Sequence, residues 1–489
     1  MTYSRLQHAL TTWKTLIVVM FVLFLYYYYL STDDGSSETS STTVTSRHSV
    51  SSIHDDTQIE LTISLPPPSP ELINWWNDFV PFLVAAKPDC SPVEILYGIP
   101  QEMTWDPRNK TKQRIDALSL SQAQLKSLKE SHKAMAIYAK QQLPKLYYKR
   151  RTRGIVTTAN SAYMSTLIVS LRILRQSGSK LPIEVFLNDG REYMRNRRYC
   201  EDVLPELNAR CRLFSDVMAG APFIIDIKSY QCKVFAMLFS SFEDLLFLDS
   251  DSFPVRNPDD FLFLDPFRWS GLVIWPDFWE STASQSFFDI ASINAPPLFV
   301  RPSSESGQLL ISKRTHSAAL VLAAYYNYYG PNYYYPLLSQ GGPGQGDKET
   351  FLHAAMALDL PFYDVKSKVS VLGHKTDDHF KGYAMVQVDP VEDYRVESYQ
   401  RAAEPKGFFI HNNMCKLDPE KVFEPHCGLQ DSTGNWLRLW SPQEAIFKQF
   451  GYDIERCVWQ QVIITACEGD NTTGTCHAVE NYYQKVFSS

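Results

Sequence analysis

The sequence predicts an α/β fold built on a mainly parallel sheet, and two observations carry this. From Arg153 onward, short apolar runs of strand length alternate with longer segments whose apolar residues recur every three or four positions. Within that alternation, the run Asp244 to Leu248 ends abruptly in Asp249-Ser250-Asp251. An apolar run of this length reads as a strand buried on both faces. Residues two apart on a strand point the same way, so both carboxylates can meet at its carboxyl end, where open α/β sheets bind ligands. Two acids so close repel each other unless a cation stands between them. Mn²⁺ or Mg²⁺ bridged to a diphosphate fits, because hard cations favour oxygen ligands. A strand-ending turn with two solvated acids is the plainer alternative.

The elements follow in chain order. Residues 1–15 read as a cytoplasmic tail and 16–30 as a transmembrane signal-anchor. Leu16 to Leu30 carries no charge and ends in the tyrosines Tyr26 to Tyr29. Counting outward from Thr11 to Thr32 gives roughly the 20 residues that a bilayer requires. Arg5, His8 and Lys14 precede the run and Asp33 and Asp34 follow it, which leaves the tail in the cytoplasm and the remainder in a lumen. No small-x-small cleavage site follows the tyrosines, which disfavours a cleaved signal peptide. Residues 31–70 read as a Ser/Thr/Pro-rich stalk. Asn109-Lys-Thr111 and Asn471-Thr-Thr473 are glycosylation sequons, meaningful in such a lumen. An oxidising lumen also permits disulfides. Of nine cysteines, Cys415, Cys427, Cys457, Cys467 and Cys476 form the expected pool, and the odd count leaves at least one without an intrachain partner. No CxxC spacing marks a structural zinc site. A net charge of −7 gives no electrostatic case for nucleic acid.

Residues 71–150 read as a helical neck. Glu71 to Ala86 spaces Leu72, Trp75, Trp76, Phe79 and Leu83 along one face, and Ser121 to Leu143 opens with a capping box from Ser121 and Gln124. The remaining domain, 151–489, starts with the strand Gly154 to Thr158. A helix over Leu167 to Leu174 follows, stopped by Gly178, and then the strand Ile183 to Leu187. A helix over Tyr230 to Phe242 leads into the Asp249 strand. Gly271 to Trp275 and Gln308 to Ile311 are further strands; His316 to Tyr329 and Asp347 to Leu358 are further helices, with Asp347 at the N-cap. No G-x-G-x-x-G follows the first strand, so the dinucleotide fingerprint is absent, as is a Walker motif.

Five segments in this order and spacing carry a resemblance: Gly154-Ile-Val-Thr-Thr-Ala159, Phe239 to Asp251, Trp275-Pro-Asp-Phe-Trp279, Glu305-Ser-Gly-Gln308 and Gly346-Asp-Lys-Glu-Thr-Phe351. From about Arg153 onward the chain resembles the fungal Golgi mannosyltransferases of glycosyltransferase family 71, and among them the α-1,2-mannosyltransferases that branch outer-chain mannan. The resemblance implies a GT-A fold, a single Rossmann-like sheet with a D-x-D metal site. It implies GDP-mannose as donor and an α-linked mannose chain of mannan or an N-glycan as acceptor. It also implies a single-pass Golgi membrane protein with a luminal catalytic domain, with a Golgi mannosyltransferase complex as a candidate partner.

Each segment also has a reading from its residues. Thr157, Thr158 and Ala159 end the first strand, where a base and ribose can lie; an ordinary strand-to-helix turn is the alternative. Lys233 opens the helix before Asp249. By resemblance to retaining GT-A enzymes its compact ammonium would neutralise the donor phosphates; a solvated helix lysine is the alternative. Trp275 and Trp279 flank Asp277 and are read as a site wall, where Trp faces pack on sugar rings and Asp binds hydroxyls, against the alternative of core tryptophans. Gly307 permits close backbone approach, and Gln308 beside it can hold donor hydroxyls; a simple turn is the alternative. The loop Gly341 to Gly346 reads as mobile beside the site. Asp347 and Glu349 after it are candidates to face the acceptor or the anomeric carbon, one of them serving as helix cap. The tyrosines between 325 and 335 read as mixed core and surface aromatics.

Two carboxylates and a diphosphate leave an octahedral ion short of ligands. Many retaining GT-A enzymes add a late histidine, and Phe408-Phe-Ile-His411 fits, an apolar run ending in His. His411 is therefore the expected third ligand beside Asp249 and Asp251, ahead of His353 and His374, with a structural histidine capping the strand end as the alternative; its nitrogen favours Mn²⁺, with Mg²⁺ as the other candidate. An α-linked donor and an α product mean net retention, by double displacement or by front-face attack. Linkage α-1,3, a haloacid-dehalogenase-like phosphatase and a non-catalytic Golgi subunit are the rival readings.

Overall fold

The computed structural model describes residues 65–142, 145–375, 379–399, 404–468 and 474–487. The expected anchor, nearly all of the stalk and the Asn471 sequon lie outside the described residues. Among the described residues no helix is long and apolar enough to cross a membrane.

Seven strands build the main sheet: β1 (Lys149–Thr158), β2 (Ile183–Leu187), β3 (Ala209–Leu213), β4 (Phe242–Leu248), β6 (Leu272–Glu280), β7 (Pro302–Ser312) and β8 (Tyr363–Asp364). Between β4 and β6 lies the short β5 (Ser252–Pro254), which belongs to a second sheet. The main sheet runs β8-β6-β7-β4-β1-β2-β3. β4, β1, β2 and β3 are parallel neighbours, β8 is parallel to β6, and β7 alone runs antiparallel to both its neighbours. The expected α/β, mainly parallel sheet is therefore present. All seven residues of β4 are buried, as its apolar run requires.

Strand alternation sends side chains to two layers. Val156, Leu245, Phe247, Ile274, Leu309 and Ile311 face a core that includes residues of α1 (Pro70–Ala85), α2 (Gln122–Ile137), α4 (Gln231–Phe239), α5 (Lys313–Tyr328) and α6 (Thr350–Ala357). Ile155, Val185, Leu246, Leu248 and Leu310 face the other way, with Leu167, Ile168 and Leu171 of α3 (Met164–Gln176). Trp275 lies in that second core, fully buried, its indole N–H donating to Val388 O at 3.0 Å. It is a core tryptophan and not the site wall expected of it.

The helices of the expected neck form where the sequence places them, α1 capped by Ser69 and α2 by the Ser121–Gln124 capping box. They do not stand apart. Trp76 meets Phe235 and Phe239 of α4 edge-on at 5.9 and 5.1 Å, and the described residues from Leu65 on form one unit. A helix with an apolar stripe must bury it, and the nearest apolar surface is the sheet's own helical layer. The cluster Tyr325, Tyr326 and Tyr334 is core.

The second sheet is antiparallel, ordered β9 (Ser370–Lys375), β10 (Phe380–Val388), β11 (Gly407–His411) and β5. The terminal helices α7 (Ile454–Glu468) and α8 (Thr475–Phe487) share its core. Disulfides join Cys415 to Cys427, Cys467 to Cys476 and Cys200 to Cys211. Cys457, in the expected pool, is free, and the Cys200 bridge was not foreseen.

The helix that delivers Lys233 is locked at its far end. Lys313, fully buried, donates to Leu238 O at 2.7 Å, Ser240 O at 2.6 Å and Tyr147 O at 3.4 Å. Burial lowers the Lys313 ammonium to about 7, and the negative end of the α4 dipole favours its charged form. Lys313→Met strands these carbonyls and is expected to lower stability by about 2 kcal/mol, read as a shift in denaturant midpoint.

Candidate active site

The site grows from the carboxyl end of β4. Asp249 follows the strand directly, its backbone N–H donating to Gly307 O at 2.9 Å. β7, inserted antiparallel beside β4, thus brings Glu305 and Ser306 to the same edge. Asp251 precedes β5, and β5 pairs with β11 so that Ser252 faces His411. That register sets the imidazole beside Asp251, with His411 Nε2 3.2 Å from Asp251 Oδ1. Ligand atoms of Asp249, Asp251 and His411 all lie within 4.8 Å of one another. Of the competing histidines, His353 bonds Glu349 O at 2.8 Å, and His374 bonds Leu439 O at 3.2 Å and packs on Tyr383.

Cations hold these acids. Lys233 Nζ is 3.1 Å from both Asp249 Oδ2 and Asp347 Oδ2 and donates to Ser306 O at 2.7 Å. Lys416 contacts Asp251. On its other nitrogen, His411 Nδ1 is 3.0 Å from Glu305 Oε1. Burial pushes the Asp249 carboxyl up to about 6 against the pull of Lys233 and His411. Burial also acts to raise Asp251, but His411 and Lys416 outweigh it and hold this carboxyl well below its usual range. The same opposition brings Glu305 down to about 2, with His411 as its main partner. His411 itself, though buried, is raised well above the ordinary imidazole value by Asp251 and Glu305.

Two carboxylates and an imidazole offer hard oxygens and one borderline nitrogen, a donor set suited to Mn²⁺ or Mg²⁺. The amino groups of Lys233 and Lys416 lie against the same carboxylates that a divalent ion would use. The residues fit such an ion, and Glu305 would hold the second nitrogen of His411, as ligating histidines require.

A cavity of about 1180 Å³ opens over this cluster. Thr158, Ala159 and Asn188 line its β1/β2 side, Asp249, Asp251, Lys233, Asp347 and His411 its middle, and Asp277 and Trp279 its β6 side. Asp277 pairs with Lys348 at 2.7 Å, and burial raises its carboxyl despite that partner. Four of the proposed site residues do not line the cavity. Thr157 is fully buried one position too early on the strand, and its hydroxyl lacks a partner. Gln308 points into the fold, its Oε1 taking the Ser252 hydroxyl at 3.4 Å. Gly307 makes room for His411: a Cβ there would stand 2.5 Å from His411 Nδ1. Glu349 is held by Ser304 N at 2.6 Å, with His353 Nδ1 at 3.2 Å and Arg301 at 3.8 Å, a structural ion cluster. Asp347 is not the N-cap of α6; that position is Glu349, which frees the Asp347 side chain for Lys233.

Glu305, Lys348 and Lys416 were missed as partners. Glu305 lies in β7, a strand buried along all its length, and only the antiparallel pairing of β7 with β4 brings it to the site. Lys416 lay only five residues beyond His411.

The chain belongs to a mannosyltransferase family: the family model Mannosyl_trans3 matches residues 152–300 and 298–389. It is 30% identical to α-1,2-mannosyltransferase MNN2 of Candida albicans, over 75% of this chain and 69% of that protein. It is 35% identical to α-1,2-mannosyltransferase MNN21 of the same species, over 72% of this chain and 62% of that one. With α-1,2-mannosyltransferase MNN2 of Saccharomyces cerevisiae the identity is 35%, over 58% of this chain and 53% of that one. The chain thus spans between 53% and 69% of the length of these three curated relatives. Among solved structures, the crystal structure of galactosyltransferase LgtC with donor and acceptor sugar analogs aligns at a TM-score of 0.30 and 16% identity, over 44% of this chain and 73% of that one. The glycosyltransferase GlyE of Streptococcus pneumoniae aligns at 0.28 and 17%, over 44% and 45%. Likeness at these TM-scores supports no inference.

Proposed function

We propose that this protein transfers mannose from GDP-mannose to an α-linked mannose acceptor of mannan or an N-glycan, with retention and in an α-1,2 linkage. The observation that carries the reading is the convergence of Asp249, Asp251 and His411, flanked by Lys233, in a cavity at the carboxyl end of β4. The relatives' names support mannosyl transfer and the α-1,2 linkage. The GT-A architecture belongs to the same proposal, as does residence in the Golgi membrane with the catalytic domain in the lumen, alone or in a mannosyltransferase complex.

Asp249, Asp251 and His411 would hold Mn²⁺ or Mg²⁺, which supplies Lewis-acid neutralisation of a departing diphosphate. The chain's own residues do the rest. The ends of β1 and β2 offer Thr158, Ala159 and Asn188 to the nucleoside. Lys233 is a fixed, buried cation, raised by Asp249 and Asp347 against the effect of burial, and so stays charged beside the diphosphate. Asp347 and Asp277 stand on the sugar side. Each is tied to a lysine, Asp347 to Lys233 and Asp277 to Lys348, and a carboxylate so held is a poor nucleophile. This favours front-face attack, with the leaving phosphate accepting the acceptor's proton, over double displacement.

The testing experiment incubates the full-length protein with GDP-mannose, Mn²⁺ and an α-mannose oligosaccharide. An α-1,2-extended product identified by NMR is the expected result. Release of phosphate from simple esters without sugar transfer would instead favour the phosphatase reading.

The His411 environment sets the sign of a pH effect. A histidine raised by Asp251 and Glu305 is protonated at neutral pH in the metal-free protein, and only the neutral ring can ligate. Metal binding therefore releases a proton. Apparent Mn²⁺ affinity is expected to climb as pH rises from 6 to 8, about 6 and about 8 bracketing the usual assay range. A titration series showing flat or falling affinity would contradict this. In the metal-free protein the same raised value adds stability that is full below the unfolded histidine range and fades as pH rises through the folded one.

A further inference from the structure

The segment between α1 and α2 reaches the cavity, although it precedes the region matched by the family model. Glu102 lines the cavity, and the chain around it is stitched to the end of β6. Thr104 bridges Trp279, Trp105 N–H donates to Phe278 O at 3.2 Å, and Glu280 N–H donates to Met103 O at 2.7 Å. The same segment clamps the glycine-rich loop beside the site. Gln340, fully buried, accepts from Ala117 N at 2.7 Å and donates to Ile115 O at 2.9 Å. Gln101 donates to Gly341 O at 3.0 Å. Ile95 and Ile99 pack so closely on Gly341 and Gly342 that added Cβ atoms would meet them at 3.3 and 2.8 Å. Beyond the clamp, Gly344 and Gln345 also line the cavity.

Sheet order assigns this wall its ligand. The cavity runs across the strand ends from β2, through Asp249, to β6. Its β1/β2 side is the doubly wound half that suits a nucleotide. The opposite side, where Glu102 lies, therefore faces whatever receives the transferred group. Its chemistry is that of a carbohydrate site: the aromatic Trp279 for a sugar face and the acids Asp277 and Glu102 for hydroxyls, with Gln345 beside them. We infer that residues 99–105 form the acceptor wall, with Glu102 binding hydroxyls of the mannose chain and the clamped loop 341–346 fixing the width of the acceptor channel.

This rests on the mannosyltransferase reading, and the experiment separates the two. Full-length Glu102→Ala and Gln101→Ala proteins are compared with the native one in transfer to an α-mannose oligosaccharide, in hydrolysis of GDP-mannose without acceptor, and in GDP binding. For Glu102→Ala the acceptor KM is expected to rise roughly 10-fold, the loss of one charged hydrogen bond, with hydrolysis and GDP affinity unchanged. Gln101→Ala should raise acceptor KM in the same direction through a loosened loop. An unmoved acceptor KM in the Glu102 variant overturns the inference alone. So does a parallel fall in hydrolysis and GDP affinity, which would mark the segment as a structural strap. Native protein inactive toward GDP-mannose overturns the functional reading, and this inference with it.

Discussion

Asp251→Ala is expected to lower mannose transfer by about 1000-fold, the scale of losing a principal electrostatic element of an active site. Asp249→Ala should do the same. Both side chains serve the cavity and not the core, since the strand they follow is packed through Leu245 to Leu248. Far-ultraviolet circular dichroism of both variants should therefore match the native spectrum. The two losses have different secondary signatures. Removing Asp249 leaves Lys233 with Asp347 as its carboxylate partner, whereas removing Asp251 leaves Lys416 and His411 without the acid between them. Near-native turnover by either variant in the presence of a chelator would rule out the metal-assisted mechanism.

Gly307→Ala is expected to weaken apparent Mn²⁺ affinity by about 100-fold, at the upper end of what disturbed metal surroundings cost. The added methyl would stand 2.5 Å from His411 Nδ1 and 2.8 Å from Glu305 Oε1. Neither distance is tolerable, so the imidazole, the carboxylate or both must leave their places. His411→Ala removes the ring outright and should cost about 10- to 100-fold. The two substitutions share one target and should not add in the double variant. An unaltered Mn²⁺ titration curve for Gly307→Ala would show that His411 does not ligate.

What the sequence disclosed and what it hid divide along physical lines. Asp249 and Asp251 were legible because they close an unbroken apolar run, although a turn after β4, and not strand periodicity, brings the two carboxylates together. Lys233 and His411 were legible through the resemblance to retaining GT-A enzymes, Lys233 in the first turn of an apolar helix and His411 at the end of an apolar strand. Glu305 was hidden because its approach depends on β7 being inserted antiparallel between β4 and β6, which no local pattern encodes. The same holds for Gly307: its lack of a side chain serves a histidine 104 residues away, through the pairing of β5 with β11. The second sheet escaped because β9 and β10 carry mixed polar and apolar residues, and the edge strand β3 because its alternating Ala-Arg-Cys-Arg-Leu reads as surface. Residues 71–150 disclosed their helices through periodicity but not their partners, so a layer of the catalytic body read as a neck.

The metal-assisted mechanism is tested most directly by GDP binding to the full-length protein as Mn²⁺ is titrated in, followed by calorimetry. It predicts that GDP binds in the presence of Mn²⁺, that a chelator weakens binding at least about tenfold, and that Asp251→Ala removes the dependence on metal. GDP affinity indifferent to Mn²⁺, or no GDP binding under any divalent ion, would contradict it.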